Sequence, residues 1–108
     1  MRKVYYVIRR TTKVDKDGLD IGFGWVDSIW GLYKTEKRAI RAMRKLIEDR
    51  LNEITLHPDG RGQYERLIDH VPTVDELRSV RAVHTDIRRS DLFGNVQETF
   101  FYDYRYLE

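Results

Sequence analysis

Apolar positions recur at spacings of three and four in the middle of the chain, and β-rich stretches flank that segment on both sides. At the front, Arg2 to Arg10 reads RKVYYVIRR, β-branched and aromatic as a strand prefers. Leu19 to Tyr33 is a second such stretch, entered through Asp17-Gly18, a pair that suits a two-residue type I′ turn because both positions need positive φ. A turn there sets Arg10 across from Trp25, Tyr6 across from Ile29 and Val4 across from Gly31. Gly22 and Gly24 are expected to bend or bulge the second arm. The distal half of this hairpin then projects as a finger, and the proximal half joins the core sheet.

Thr35 is placed to cap a helix, and after it Ile40, Met43, Ile47, Leu51 and Ile54 follow one another on a single face, flanked by Ala39, Ala42 and Leu46. The spacing predicts a helix from Glu36 to Ile54, ended by the turn His57-Pro58-Asp59-Gly60. A short helix is expected over Gln63 to Asp69, and another from Thr73 with Asp75 and Glu76 in its first turn, where the helix dipole favours anions. Val83, Thr85 and Ile87 alternate with His84, Asp86 and Arg88, as in a strand with one wet face. The loop Ser90 to Asn95 leads into a last strand, Val96 to Leu107, whose buried face the pattern leaves open. The expected fold class is α+β, in the order β-β-α-(α)-β-β: a four-stranded, mainly antiparallel sheet with one long helix packed on one face.

Composition narrows the function. A chain of 108 residues without internal repeats reads as one domain, residues 1–108, able to bury a core without staples. The absence of cysteine excludes disulfides, zinc–thiolate sites, iron–sulfur clusters and thiol nucleophiles together. No apolar run is long enough for a membrane span or a signal-peptide core, which points to a cytoplasmic protein without membrane contact. The net charge of +2 conceals an asymmetry. Residues 1–50 hold 13 Lys+Arg and 7 Asp+Glu, a net of +6, whereas residues 51–108 hold 7 and 11, a net of −4. Such a front half suits an anionic partner, unless folding brings the two halves together.

Catalytic and metal signatures are missing. His57, His70 and His84 have no metal-ligand spacing and read as surface or turn histidines; neither Gly-x-Ser-x-Gly nor His-Glu-x-x-His occurs. Lys13 to Gly24 fails as a calcium loop, with Lys13 and Gly24 where an acid is needed. Gly31 to Thr35 lacks the Gly-Lys pair of a phosphate loop. Asp75 and Glu76 are accounted for by helix capping. No enzyme and no cofactor is therefore expected.

Two short segments resemble known signatures. His57-Pro58-Asp59 after a basic helix resembles the tripeptide of J-domain co-chaperones, but that family is all-helical and strand-like sequence lies on both sides here. Ile21-Gly22-Phe23-Gly24-Trp25-Val26 resembles the core of the RNA-recognition-motif signature. It departs from it at Ile21 and Ser28, and no helix precedes it. What survives is physical: Phe23, Trp25 and Arg10 would share one face of the finger near Arg9, Lys13 and Lys16, suited to stacking and anion contact. The alternative is that both aromatics fold back onto the helices.

On the long helix, Lys37, Arg41 and Arg44 form one stripe away from the apolar side, with Arg38 and Lys45 beside it. Cations in the first two turns oppose the dipole at a cost of a few tenths of a kcal/mol each, roughly, which argues for a use. Against it, Glu48 and Asp49 can pair with Arg44 and Lys45 four residues back. Leu92 and Phe93 place two large apolar side chains in a hairpin loop, either tucked in or anchoring a partner.

The run Gly31-Leu32-Tyr33-Lys34-Thr35 into Ala39-Ile40, behind an N-terminal Val-Tyr strand, resembles small β-hairpin-plus-helix domains of bacteria and their phages. By class analogy, that resemblance implies an inhibitor of the anti-CRISPR type, which occupies a nuclease surface. The expected function is a non-enzymatic interaction protein of phage or mobile-element type that binds and masks a protein partner such as a host defence nuclease. Its contact groups would be Arg10, Phe23, Trp25, Lys37, Arg41, Arg44, Leu92 and Phe93. The alternative is direct nucleic-acid binding through the same basic and aromatic groups.

Overall fold

In the computed structural model, which describes residues 2–15, 26–56, 64–89 and 94–107, two thirteen-residue strands form the spine. They are β1 (Arg2–Val14) and β5 (Asn95–Leu107), paired antiparallel over their whole length from Arg2 opposite Leu107 to Val14 opposite Asn95. Outside them lie β2 (Val26–Tyr33), β4 (Ala82–Arg88) and β3 (Tyr64–Arg66), giving an antiparallel sheet in the order β2-β1-β5-β4-β3. The sheet thus has five strands, not four. The extra one is part of the segment read as a short helix over Gln63 to Asp69. Tyr64–Arg66 instead takes the free edge of β4, where its backbone gains partners that one isolated helical turn could not supply.

Helix α1 (Glu36–Leu56) matches the predicted segment and runs two residues further. The Thr35 hydroxyl accepts the Arg38 amide at 3.2 Å, and the Thr35 carbonyl accepts the Ala39 amide, which starts the helix there. Its apolar stripe, Ala39, Ile40, Met43, Ile47 and Leu51, is buried against Val7, Val83, Phe100 and Tyr102 of the sheet and Leu77 of α2 (Val74–Val80). Burying each large aliphatic group contributes about 1.5–3 kcal/mol. The second helix starts where predicted, at Thr73, whose hydroxyl caps α2 while Glu76 returns a hydrogen bond to the Thr73 amide.

The pairing assigns the faces. Val7, Arg9, Phe100 and Tyr102 point toward α1, so even-numbered residues of β5 line the covered face. Tyr6, Ile8, Arg10 and Phe101 point the other way.

Two registers differ from expectation. Arg10 lies opposite Asp27, not Trp25, and Ile29 lies opposite Ile8, not Tyr6. A two-residue offset leaves every side chain on its face, so apolar pattern alone cannot detect it; the observed one sets Arg10 directly beside Asp27. Then Tyr6 pairs with Leu32 and Val7 with Trp30, leaving Gly31 as an extra residue with φ +73°. The bulge therefore sits at Gly31; Gly22, Gly24 and the Asp17-Gly18 turn lie outside the described residues. In β4, a second irregularity at Thr85 turns Asp86 inward, so the predicted wet face is interrupted by a buried carboxylate.

Candidate interaction surfaces

Among the proposed contact groups, Lys37, Arg41 and Arg44 are exposed on α1, as is Arg38. Arg44 donates its Nε hydrogen to the Pro72 carbonyl at 2.8 Å, and Lys45 pairs with Asp49 at 3.0 Å. The side chains of Lys37, Arg38 and Arg41 have no ion-pair partner among the described residues. The acidic rear half does reach α1, but elsewhere: Asp86 and Glu98 meet Arg50, while Arg78 of α2 supplies a cation to Glu36 at 3.1 Å.

Arg10 is placed differently. It lies on the face away from α1 and forms a two-pronged fork with Asp27, Nε to Oδ1 at 2.7 Å and Nη2 to Oδ2 at 2.9 Å, over the ring of Phe101. The hydrogen bond from Arg10 holds the Asp27 carboxyl below its ordinary range, against a smaller opposing effect of burial. Arg10 thus enters the structure already joined to a carboxylate. Phe23, Trp25, Leu92 and Phe93 lie outside the described residues, as does His57.

A cluster that sequence reasoning missed lies beneath α1. Arg50, its side chain 11% exposed, forks onto Asp86 (1% exposed) at 3.0 and 3.3 Å and approaches Glu98 at 3.6 Å. Arg9 also pairs with Glu98, and the Thr85 hydroxyl lies 2.8 Å from Asp86 Oδ1. Burial opposes the charge of Arg50, but the hydrogen bond and charge of Asp86, with Glu98 and Glu53, shift it further toward the protonated form. Two guanidinium groups and two carboxylates balance at its centre, with the exposed Glu53 a further 3.4 Å neighbour of Arg50, so this cluster ties helix to sheet.

Other features lie at the surface. At one end of the covered face, the Lys3 ammonium sits 3.9 Å from the centre of the Tyr104 ring, with Tyr5 and Tyr106 around it. A hydrogen bond with Tyr5 is the main reason its pKa lies above the ordinary value. A groove of about 710 Å³ between α2 and β4 is lined by Leu67, Ile68, Val80 and Val83 together with Asp75, Glu76 and His84. A second, about 370 Å³, lies on the open face between Val4, Tyr6, Ile8, Ile29, Leu32 and Leu107, with Arg105 also lining it.

His70 touches Asp69 at 2.7 Å, which raises its pKa above the ordinary value; His84 shares a hydrogen bond with Thr99. Among the described residues no group of three or more His, Cys, Asp or Glu is arranged to hold a metal. No described helix is long and apolar enough to cross a membrane.

Comparison with known proteins returns no match, whether to family models, curated proteins or solved structures.

Proposed function

We propose that the chain is a non-enzymatic interaction protein that binds and masks an acidic surface of a protein partner through the first half of α1. One observation carries this reading: Lys37, Arg38 and Arg41 are exposed and without a counter-ion among the described residues, whereas Arg9, Arg10, Lys45, Arg50 and Arg78 are all paired with acids. Three like charges kept at the unfavourable end of a helix dipole are compensated when an anion arrives. A defence nuclease suits this reading through an acidic patch, such as the carboxylates that gather its metal ions. Its cationic nucleic-acid groove would repel the stripe.

Nucleic acid is the second reading, supported by the same three cations because phosphate is also an anion. Affinity capture from the source cell, with and without nuclease treatment, separates the two. The proposal expects a protein partner that survives nuclease treatment and is lost when Lys37, Arg38 and Arg41 are all changed to Glu. Loss of all capture after nuclease treatment, with probe binding that falls steeply with salt, would favour nucleic acid. Capture unaffected by the triple change would remove the stripe from either account.

A further inference from the structure

The edge strand β2 is unusual in what it exposes. Every residue but Tyr33 is exposed, including Val26, Trp30, Ile29 at 67% and Leu32 at 72%. Natural edges are blunted by shortness, charge, proline or a bulge. The opposite edge follows that rule, since β3 is three residues long and carries Glu65 and Arg66. Strand β2, with eight residues, one acid and no lysine or proline, carries only the bulge at Gly31, and Ile29 and Leu32 stay exposed on either side of it.

We propose that β2 pairs antiparallel with β2 of a second copy around a two-fold axis between Trp30 and Gly31, joining two five-stranded sheets into one. The extra residue at Gly31 is what permits this register. Residues three apart on a regular strand face opposite sides, but the bulge puts Ile29 and Leu32 on the same open face, opposite Ile8 and Tyr6. With Ile29 beside the partner's Leu32, all faces match and four aliphatic side chains meet across the axis. The same register sets Asp27 beside the partner's Lys34, at both ends of the paired segment. Lys34 has no ion-pair partner among the described residues. Opposite charges at the ends and matched apolar groups in the middle make the edge complementary to itself, the requirement of a two-fold interface. Centring the axis on Ser28 instead would set Asp27 against the partner's Ile29.

Sedimentation velocity on the intact protein tests the pairing. A single added strand buries less than a standard interface, so a reversible dimer with Kd of about 1–100 µM is expected. Ile29→Lys and Leu32→Lys should each raise that Kd at least about tenfold without moving the thermal melt measured at concentrations well below it, because both side chains are exposed in the monomer. Lys34→Glu should weaken the dimer at low salt, and it reads the same edge if an apolar variant misfolds. The register is tested by oxidising an Ile29→Cys, Leu32→Cys double variant: Cα atoms facing across an antiparallel pair lie within disulfide range, so it should give a covalent dimer while neither single variant does. A monomer at about 500 µM, well above the Kd expected of so small an interface, would overturn the proposal. So would a dimer indifferent to Leu32→Lys and Lys34→Glu. The pairing concerns the edge and not the α1 stripe, so it stands or falls independently of acidic-partner binding.

Discussion

The hydroxyl oxygen of Tyr33 lies 2.4 Å from where a β-carbon on Gly31 would be, and Gly31 holds φ +73°. Left-handed backbone alone costs a non-glycine residue about 1–2 kcal/mol, and the overlap adds to it unless the Tyr33 ring moves. Gly31→Ala is therefore expected to lower the urea midpoint clearly, and to do so less in a Tyr33→Ala background. Equal losses in both backgrounds would assign the whole effect to the backbone.

Removing Arg50 leaves Asp86 beneath a helix with its counter-charge gone, and Glu98 with Arg9 alone. Arg50→Met should cost about 3–5 kcal/mol, the range for breaking a buried pair. Arg50→Lys should recover only part of this, because an ammonium cannot reproduce the fork. Replacing Arg50 and Asp86 together by Met and Leu should return most of the stability, as Glu98 keeps Arg9 and no buried charge is then stranded. Urea unfolding of the three variants provides the comparison.

Changing Lys37 to Glu replaces a cation that opposes the helix dipole and sets an acid four residues before Arg41. Stability should rise by a few tenths of a kcal/mol, roughly, while affinity for the acidic partner falls. Opposite signs in the two measurements mark a residue retained for binding. If both decline together, Lys37 has a structural role.

Acid should weaken the β1–β2 pairing through Asp27. Its folded pKa lies below the ordinary 3.8, so the Arg10 fork contributes stability that is full above the unfolded value and is lost as pH falls through the folded one. Both groups are about a third exposed, and the contribution should stay below about 1 kcal/mol. Comparing urea midpoints between neutral and acidic pH for the native chain and Asp27→Asn checks this: the variant should lack that part of the acid loss.

Thr73→Ala removes the hydroxyl that accepts the Glu76 amide at 3.2 Å. The expected cost is about 1 kcal/mol, with faster hydrogen exchange concentrated in α2.

Helix positions were the most legible part of the chain, because Thr35 and Thr73 are caps with a chemical signature and the α1 stripe repeats five times. The sheet was read one strand short: Tyr64–Arg66 has too few residues to alternate visibly and is a strand only because β4 offers an edge. The two-residue offset of β2 was invisible to a period of two. Arg50 did leave a trace. It stands seven residues after Met43, on the buried stripe, where an apolar residue would be expected; an arginine there calls for buried acids. What the sequence withheld was their identity, since Asp86 turns inward only through the irregularity at Thr85. Of the basic groups, pattern alone could not tell Arg10, with its acid seventeen positions away, from Lys37, with none among the described residues.

The charged centre under α1 also sets the seat of the helix. An apolar stripe of Ile, Met and Leu looks much the same after a slide of one turn, about 5.4 Å, and adhesion alone would discriminate weakly between the two seats. Arg50 acts as a vernier mark: only one alignment brings its fork to Asp86 and within reach of Glu98, and a slip strands the buried Asp86 carboxylate while Glu98 is left with Arg9 alone. A core in which these groups were made greasy would still stick, but α1 would lose its single address on the sheet, and with it the fixed direction in which Lys37, Arg38 and Arg41 are held.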